Sequence, residues 1–179
     1  MLDPASGPFL FDTSAESWLT RADSNWMRDY LTRHKVHTSA VTVLERSRGY
    51  SLLYRGAPEG KKESIEAARV AYFNRLGQVW PLDEAVAAVA GEIMALLPDP
   101  PTSPRRAHKL AESRPDRLSR WRFDCMIAAT ALVARLPLIH NNAADFEPIR
   151  SAIEKFPHRF PDLGPLELIR CQRLQPTVH

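Results

Sequence analysis

Residues 9–14 of this chain have the sequence Phe-Leu-Phe-Asp-Thr-Ser, an apolar run that ends at a carboxylate. Three consecutive apolar residues predict a short buried strand, and Asp12 follows it directly. Thr13 or Ser14 can cap a helix that begins immediately afterwards. Burying a carboxylate without a partner costs roughly several kcal/mol, so this position indicates that Asp12 has a partner. The stretch therefore predicts a strand–helix junction with an acid at the end of the strand.

Short apolar strands alternate with helices along the rest of the chain. Further strands are predicted at residues 36–38, 79–82, 138–140 and 166–169. Helices are predicted from 13 onward and at 24–33, 39–55, 63–76, 84–97 and 123–135. Asp23 or Ser24 would cap the second helix, Gly77 would end the fourth, and a short turn or helix would begin at Asp145. This alternation predicts an α/β fold with a mostly parallel sheet, in which functional groups collect at the carboxyl ends of strands.

The composition is that of one globular domain. The chain has 179 residues, of which 44% are hydrophobic and 25% charged, and we expect residues 1–179 to form a single domain. No apolar run approaches the roughly 18 residues of a membrane span, and the first residues lack the features of a secretory signal. These features predict a cytoplasmic protein with no membrane association. Cys125 and Cys171 lack zinc-ligand spacing, so two buried free thiols are expected.

Four acids each lie within a short apolar phrase, namely Asp12, Glu45, Asp124 and Asp145. Each one alone has an ordinary explanation as a helix cap, an exposed or Arg-paired side chain, or a loop acid. Together they favour one shared counter-charge, a divalent cation, and oxygen ligands of this kind suit Mg²⁺ or Mn²⁺. Asp124 is expected at the start of its helix, where the helix dipole favours a negative charge. The pattern predicts a nuclease site that uses a metal-activated water.

Four phrases resemble, in order and in context, the motifs of PIN-domain ribonucleases, specifically the VapC-type toxins of toxin–antitoxin systems. They are residues 11–14 (Phe-Asp-Thr-Ser), 39–49 (Ser-Ala-Val-Thr-Val-Leu-Glu-Arg-Ser-Arg-Gly), 124–131 (Asp-Cys-Met-Ile-Ala-Ala-Thr-Ala) and 138–146 (Leu-Ile-His-Asn-Asn-Ala-Ala-Asp-Phe). Each phrase alone is weakly specific, whereas four in the same order are more so. The resemblance extends over residues 9–150, which is most of the chain.

The resemblance implies a three-layer α/β/α sandwich and Mg²⁺- or Mn²⁺-dependent endonucleolytic cleavage of RNA. Ser14 and Asn142 match positions that usually hydrogen-bond the catalytic carboxylates. A homodimer is implied, as are inhibition by a cognate antitoxin and contact with DNA only through the antitoxin complex. The catalytic, metal-holding quartet of the family is matched by Asp12, Glu45, Asp124 and Asp145.

Two features depart from the family pattern. His140 stands where Thr or Ser is usual, and it could donate to Asp145, contact a substrate phosphate, or simply pack on the sheet. Residues 98–120 are expected to form a Pro- and Arg-rich insertion, and residues 105–122 carry seven Lys or Arg against two acids. This basic stretch could bind the RNA backbone, dock an acidic antitoxin segment, or be a solvated surface. Trp121 within it is a candidate for stacking on bases.

Three functions are open at this point. The chain could be the toxin of a toxin–antitoxin pair, a PIN nuclease of RNA processing without an antitoxin, or a non-catalytic PIN module that binds RNA or protein. The intact acidic quartet favours a nuclease over a binding module. His34 and His37 could support acid–base cleavage of RNA without metal, but no second group of residues accompanies them.

Overall fold

The centre of the molecule is a five-stranded sheet that is parallel throughout. The computed structural model describes residues 3–21, 25–101 and 114–174. The strands are β1 (Leu10–Phe11), β2 (Val36–Ser39), β3 (Leu76–Trp80), β4 (Leu138–His140) and β5 (Leu168–Arg170). Their order across the sheet is β3-β2-β1-β4-β5. The first strand is therefore the central one, with Leu10 paired to His37 on one side and to Leu138 on the other.

Helices cover both faces of this sheet. They are α1 (Thr13–Arg21), α2 (Asn25–Leu31), α3 (Ala40–Gly56), α4 (Glu59–Arg75), α5 (Glu84–Leu96), α6 (Arg114–Ala134) and α7 (Ala143–Lys155). Alternate strand residues face opposite sides, as the period of two requires. Phe11 and Ile139 pack in one buried cluster with side chains of α1 and α2, whereas Leu10 and Leu138 pack in the other with α5, α6 and α7. The fold is the three-layer α/β/α sandwich that the sequence predicted.

The helix that carries Asp124 begins earlier than predicted. α6 starts at Arg114 and not at residue 123, so Asp124 is its eleventh residue and not its second. Leu118 and Trp121 extend the apolar stripe of the helix into the basic stretch. The buried Trp121 indole donates its Nε1–H to the carbonyl oxygen of Leu97, 3.1 Å away. This contact anchors the first turns of α6 to the end of α5, which explains the longer helix.

Part of the expected 98–120 insertion is thus regular structure. Its last seven residues belong to α6, and residues 102–113 lie outside the described residues, with Arg105, Arg106 and Lys109 among them. The proposed capping residues Asp23 and Ser24 also lie outside the described part of the chain.

β3 begins directly after α4, whereas the sequence predicted a helix at 63–76 and a strand at 79–82. The prediction that Gly77 caps the helix is wrong, because Gly77 lies within β3. A Cβ atom at this position would lie 2.8 Å from the Cβ of Lys35. Glycine therefore lets β3 approach the chain that leads into β2, and this close approach could not be read from local sequence.

Several local predictions are confirmed. Ser39 caps α3 and Asp83 caps α5, each accepting a hydrogen bond from a backbone N–H in the first turn. Cys125 and Cys171 are buried free thiols. α7 is longer than the short turn or helix expected at Asp145, since it continues to Lys155. Within the described ranges, no helix has the length and apolar character needed to cross a membrane.

Candidate functional site

Asp12 occupies the carboxyl end of the central strand, in the position that the sequence predicted. Its backbone N–H donates to the Ile139 carbonyl at 3.1 Å, which fixes the chain between β1 and β4. The Ser14 hydroxyl donates to Oδ2 at 2.7 Å, and the Ala15 N–H donates to Oδ1 at 2.5 Å. Burial nevertheless outweighs these hydrogen bonds and raises the pKa of Asp12 to about 7. In the absence of a counter-charge this acid is held in an environment that disfavours its ionised form.

Glu45 lies on α3, the helix that follows β2. The Ser39 cap starts this helix at the carboxyl end of the strand, so Glu45 is carried to the same edge of the sheet as Asp12. The Thr13 hydroxyl donates to its Oε2 at 2.5 Å. Burial raises the pKa of Glu45, while the hydrogen bond from Thr13 and the charge of Arg120 act in the opposite direction. A second acid is thus tied to the residue that directly follows Asp12.

Asp145 and Asn142 come from the start of α7, just after β4. Asn142 is the residue before the helix, and its side-chain amide donates to Oδ2 of Asp145. Asp145 lies in the first turn, where the helix dipole stabilises a negative charge. This acid therefore also stands at the carboxyl end of the sheet.

Asp124 completes the group from the middle of α6. Its pKa is raised well above the usual value, first by burial and then by the negative charges of Asp145, Asp12 and Glu45. The prediction that a helix N-terminus favours its charge is wrong, because ten residues of α6 precede it. Because the charges of the other three acids act on Asp124, the four acids lie close together in the fold although they are far apart in the sequence.

The donor set fits a hydrated hard cation more closely than a closed metal cage. Within the described ranges, no group of three or more His, Cys, Asp or Glu side chains is arranged to hold a metal ion by itself. Mg²⁺ typically takes one or two protein carboxylates and keeps several waters, so a closed cage is not required. The negative charges of Asp145, Asp12 and Glu45 all raise the pKa of Asp124, so the group carries an excess of negative potential that a divalent cation would neutralise.

His140 is fully buried at the end of β4. Its ring packs edge-on against Phe146 with a centroid distance of 5.2 Å. Burial lowers its pKa to about 4, so the imidazole is neutral at physiological pH. These observations favour packing on the sheet over contact with a substrate phosphate. The proposal that Trp121 stacks on bases is wrong, since its indole is only 2% exposed.

Two residues near the acids were missed in the sequence. Thr13 follows Asp12 and was considered only as a helix cap, whereas its hydroxyl binds Glu45. Arg120 is exposed and lies one helical turn before Asp124, and its charge lowers the pKa of both Asp124 and Glu45. The spacing of four between Arg120 and Asp124 could have indicated this, had the start of α6 been placed correctly.

Together, the fold and the site define an α/β protein with an acidic cluster at the carboxyl edge of a parallel sheet. The PIN-domain family model matches residues 9–150, and the chain belongs to this family. PIN domains are nucleases and typically depend on divalent metal ions, which places the chain among hydrolases that act on nucleic acid. No curated protein matches the chain in sequence.

Solved structures share the fold at low sequence identity. FitAcB from Neisseria gonorrhoeae matches with a TM-score of 0.57 and 21% identity, over 92% of this chain and 99% of that chain. VapBC-1 from nontypeable Haemophilus influenzae matches with a TM-score of 0.57 and 15% identity, over 92% and 98%. VapBC2 from Rickettsia felis, bound to a DNA fragment from its promoter, matches with a TM-score of 0.53 and 14% identity, over 90% and 97%.

Proposed function

We propose that this protein is a Mg²⁺- or Mn²⁺-dependent endoribonuclease and the toxin component of a toxin–antitoxin pair. The observation that carries the proposal is the convergence of Asp12, Glu45, Asp124 and Asp145. After burial, the charges of the other three acids raise the pKa of Asp124, although the four come from separate parts of the chain. A buried cluster of like charges is costly unless a cation is bound, and PIN nucleases supply the chemical context for that cation.

The proposed roles follow from the positions of the side chains. Asp12, Asp124 and Asp145 would hold the main cation, directly or through its bound waters, and Glu45 would complete the site through water or as a ligand of a second cation. When bound, a divalent cation at these acids would supply a more acidic water as nucleophile and positive charge to offset the charge that develops on the phosphate oxygens. Ser14 and Asn142 hold Asp12 and Asp145 in place through their hydrogen bonds.

We propose that the basic first turns of α6 contact the backbone of the RNA substrate. Arg120 is exposed and close enough to bias two of the acids, so its guanidinium can bind a phosphate next to the site of cleavage. Trp121 keeps this part of the helix in place through its bond to Leu97. Substrate specificity would then depend in part on a stretch that departs from the usual family pattern.

A cognate antitoxin, a homodimer and a cytoplasmic location complete the proposal. The motif resemblance to VapC-type toxins and the fold shared with VapBC and FitAcB support an antitoxin partner. DNA would be contacted only through the antitoxin complex. A PIN nuclease of RNA processing would have the same chemistry, and a small antitoxin reading frame beside the gene separates the two. A non-catalytic binding module would be marked by the absence of cleavage.

Cleavage of total cellular RNA tests this function. The purified protein is incubated with Mg²⁺, Mn²⁺ or EDTA, together with Asp124→Ala and with Glu154→Gln as a control that also removes one carboxylate. Glu154 lies on α7 with a 57% exposed side chain. We expect discrete fragments that require metal, persist in Glu154→Gln and vanish in Asp124→Ala. Cleavage by Asp124→Ala at the wild-type rate would show that the proposed site is wrong.

A further inference from the structure

A second charged cluster lies buried beside the acidic site, and the proposed chemistry does not use it. The Glu16 side chain on α1 is 1% exposed, and its carboxylate oxygens lie 3.9 Å from Nε of Arg46 and 3.6 Å from Nη2 of Arg75. These arginines belong to α3 and α4. The cluster therefore joins three helices around a carboxylate that is almost completely removed from water, while the Arg46 and Arg75 side chains stay 18% and 30% exposed.

Arg46 is the centre of this cluster. Its Nη1 donates to the Ser17 hydroxyl at 2.7 Å, and its Nη2 donates to the Tyr50 hydroxyl at 3.3 Å. The guanidinium also lies over the rings of Tyr50 and Tyr72, at 5.3 and 5.1 Å from their centroids. Contacts on so many sides hold a planar guanidinium in one orientation, which a lysine could not reproduce.

The sequence places this cluster next to the proposed catalytic acid. Arg46 directly follows Glu45 on α3, and Ser17 lies one turn after Thr13 on α1. Two neighbouring polar connections thus link the same two helices, Thr13 to Glu45 and Ser17 to Arg46. The apolar side of α1 is turned elsewhere, since Ala15 packs in the cluster that contains Phe11. Polar contacts therefore set the position of α3 against α1.

Stability alone does not account for such an arrangement. Replacing a buried ion pair with well-packed apolar residues is often neutral or stabilising, because desolvation cancels most of the attraction. What a directional set of charged hydrogen bonds can provide is one defined position of the helices it joins. That position determines where the Glu45 carboxylate stands relative to Asp12.

We propose that Arg46, held by the Glu16 carboxylate and by its hydrogen bond to Ser17, is a positioning residue that fixes Glu45 in the acidic site. This inference rests on the proposed function, and it deepens it by assigning the buried cluster to metal binding at the same site. Arg46 acts through α3 and does not touch the substrate. Its loss would weaken cation binding and slow the chemical step without changing RNA affinity.

The test compares Arg46→Met, which keeps an unbranched apolar stem but removes the guanidinium, with Glu92→Gln as a control. Glu92 on α5 forms an ion pair with Arg159 at 2.5 Å, and neither of these two exposed side chains belongs to the proposed site. Three quantities are measured: the Glu45–Thr13 distance in a crystal structure, Mn²⁺ affinity without RNA, and kcat and KM separately. For Arg46→Met we expect a broken Glu45–Thr13 bond and roughly tenfold weaker Mn²⁺ binding, the usual effect of losing a residue that orients a metal ligand. We also expect a lower kcat at unchanged KM.

The conservative variant Arg46→Lys guards against misfolding. It keeps the charge and should restore folding but recover kcat and Mn²⁺ affinity only in part. An intact Glu45–Thr13 contact and wild-type Mn²⁺ affinity in Arg46→Met would overturn the inference. If the wild-type protein cuts no RNA with any metal, the proposed function fails, while the Glu45–Thr13 distance in the variant still decides whether Arg46 positions Glu45.

Discussion

Hydrogen bonds and burial act in opposite directions on the pKa of the Asp12 carboxylate. Ser14 and Ala15 donate hydrogen bonds to it, yet burial raises its pKa from 3.8 to about 7. In the metal-free protein the folded state therefore binds a proton that the unfolded state has already lost over this pH range. The contribution of Asp12 to stability is fully present below about pH 4 and is lost as the pH rises through about 7. A cation that neutralises the carboxylate would offset this cost. Metal binding would therefore explain why an acid that destabilises the metal-free fold stands at this position.

Asp12→Asn should stabilise the metal-free protein at high pH. The amide keeps the shape of the side chain and can still accept from Ala15, but it carries no charge to desolvate. We expect a gain of up to about 4 kcal/mol in the free energy of unfolding at pH 8, shrinking towards zero near pH 4. Urea unfolding of both proteins in EDTA at several pH values measures this gain in the free energy of unfolding. A gain that does not depend on pH would contradict the assigned cause.

Arg120→Met should weaken binding of the RNA substrate while leaving the fold intact. Arg120 is exposed on α6, and its charge favours the ionised forms of Asp124 and Glu45. We expect a higher KM for RNA and a smaller salt dependence, because one phosphate contact is lost. Arg122→Met, an equally exposed change two residues along the same helix, is the matched control. Equal effects of the two substitutions on KM would mean that only net charge matters.

The cap of helix α3 determines where the proposed catalytic residue Glu45 lies. Ser39 ends β2 and accepts from the Thr42 N–H at 3.0 Å, so the helix begins at the edge of the sheet and carries Glu45 towards Asp12. This much could be predicted from the sequence, since a capping residue and an apolar stripe are local signals. The start of α6 could not, because it depends on the distant bond between Trp121 and the Leu97 carbonyl.

Ser39→Ala should lower both stability and cleavage. Loss of the cap costs about 1 kcal/mol of the free energy of unfolding, and fraying of the first turn moves Glu45. Asp83→Ala removes the equivalent cap of α5, where Asp83 accepts from the Val86 N–H at 3.0 Å. The control should lose similar stability and keep its activity. Denaturant unfolding and RNA cleavage assays on both variants measure this. If both variants lose the same activity, stability and not the position of α3 would be the cause.

The topology of the whole molecule explains why the site forms. With the order β3-β2-β1-β4-β5, the chain segments that follow β2, β1 and β4 leave neighbouring strands at one edge of the sheet. Glu45, Asp12 and Asp145 follow these strands, so their proximity could be expected from strand ends alone. Asp124 comes from within a helix, and only the packing of α6 brings it to them. The single domain with an insertion at 98–120 stays a prediction, as residues 102–113 lie outside the described structure.

Binding of Mn²⁺ to the metal-free protein tests the central claim most directly. Free Mn²⁺ is followed by electron paramagnetic resonance at pH 8 without RNA, for the wild type, Asp124→Asn and the control Glu154→Gln. We predict saturable binding to the wild type and the control, which weakens below pH 7 as protons compete for Asp12. We expect Asp124→Asn to bind Mn²⁺ more than about tenfold more weakly than the wild type. Loss of a direct ligand should cost more than the roughly tenfold that follows the loss of a residue that only orients a ligand. Wild-type affinity in Asp124→Asn, or no binding by the wild type, would contradict a shared cation site.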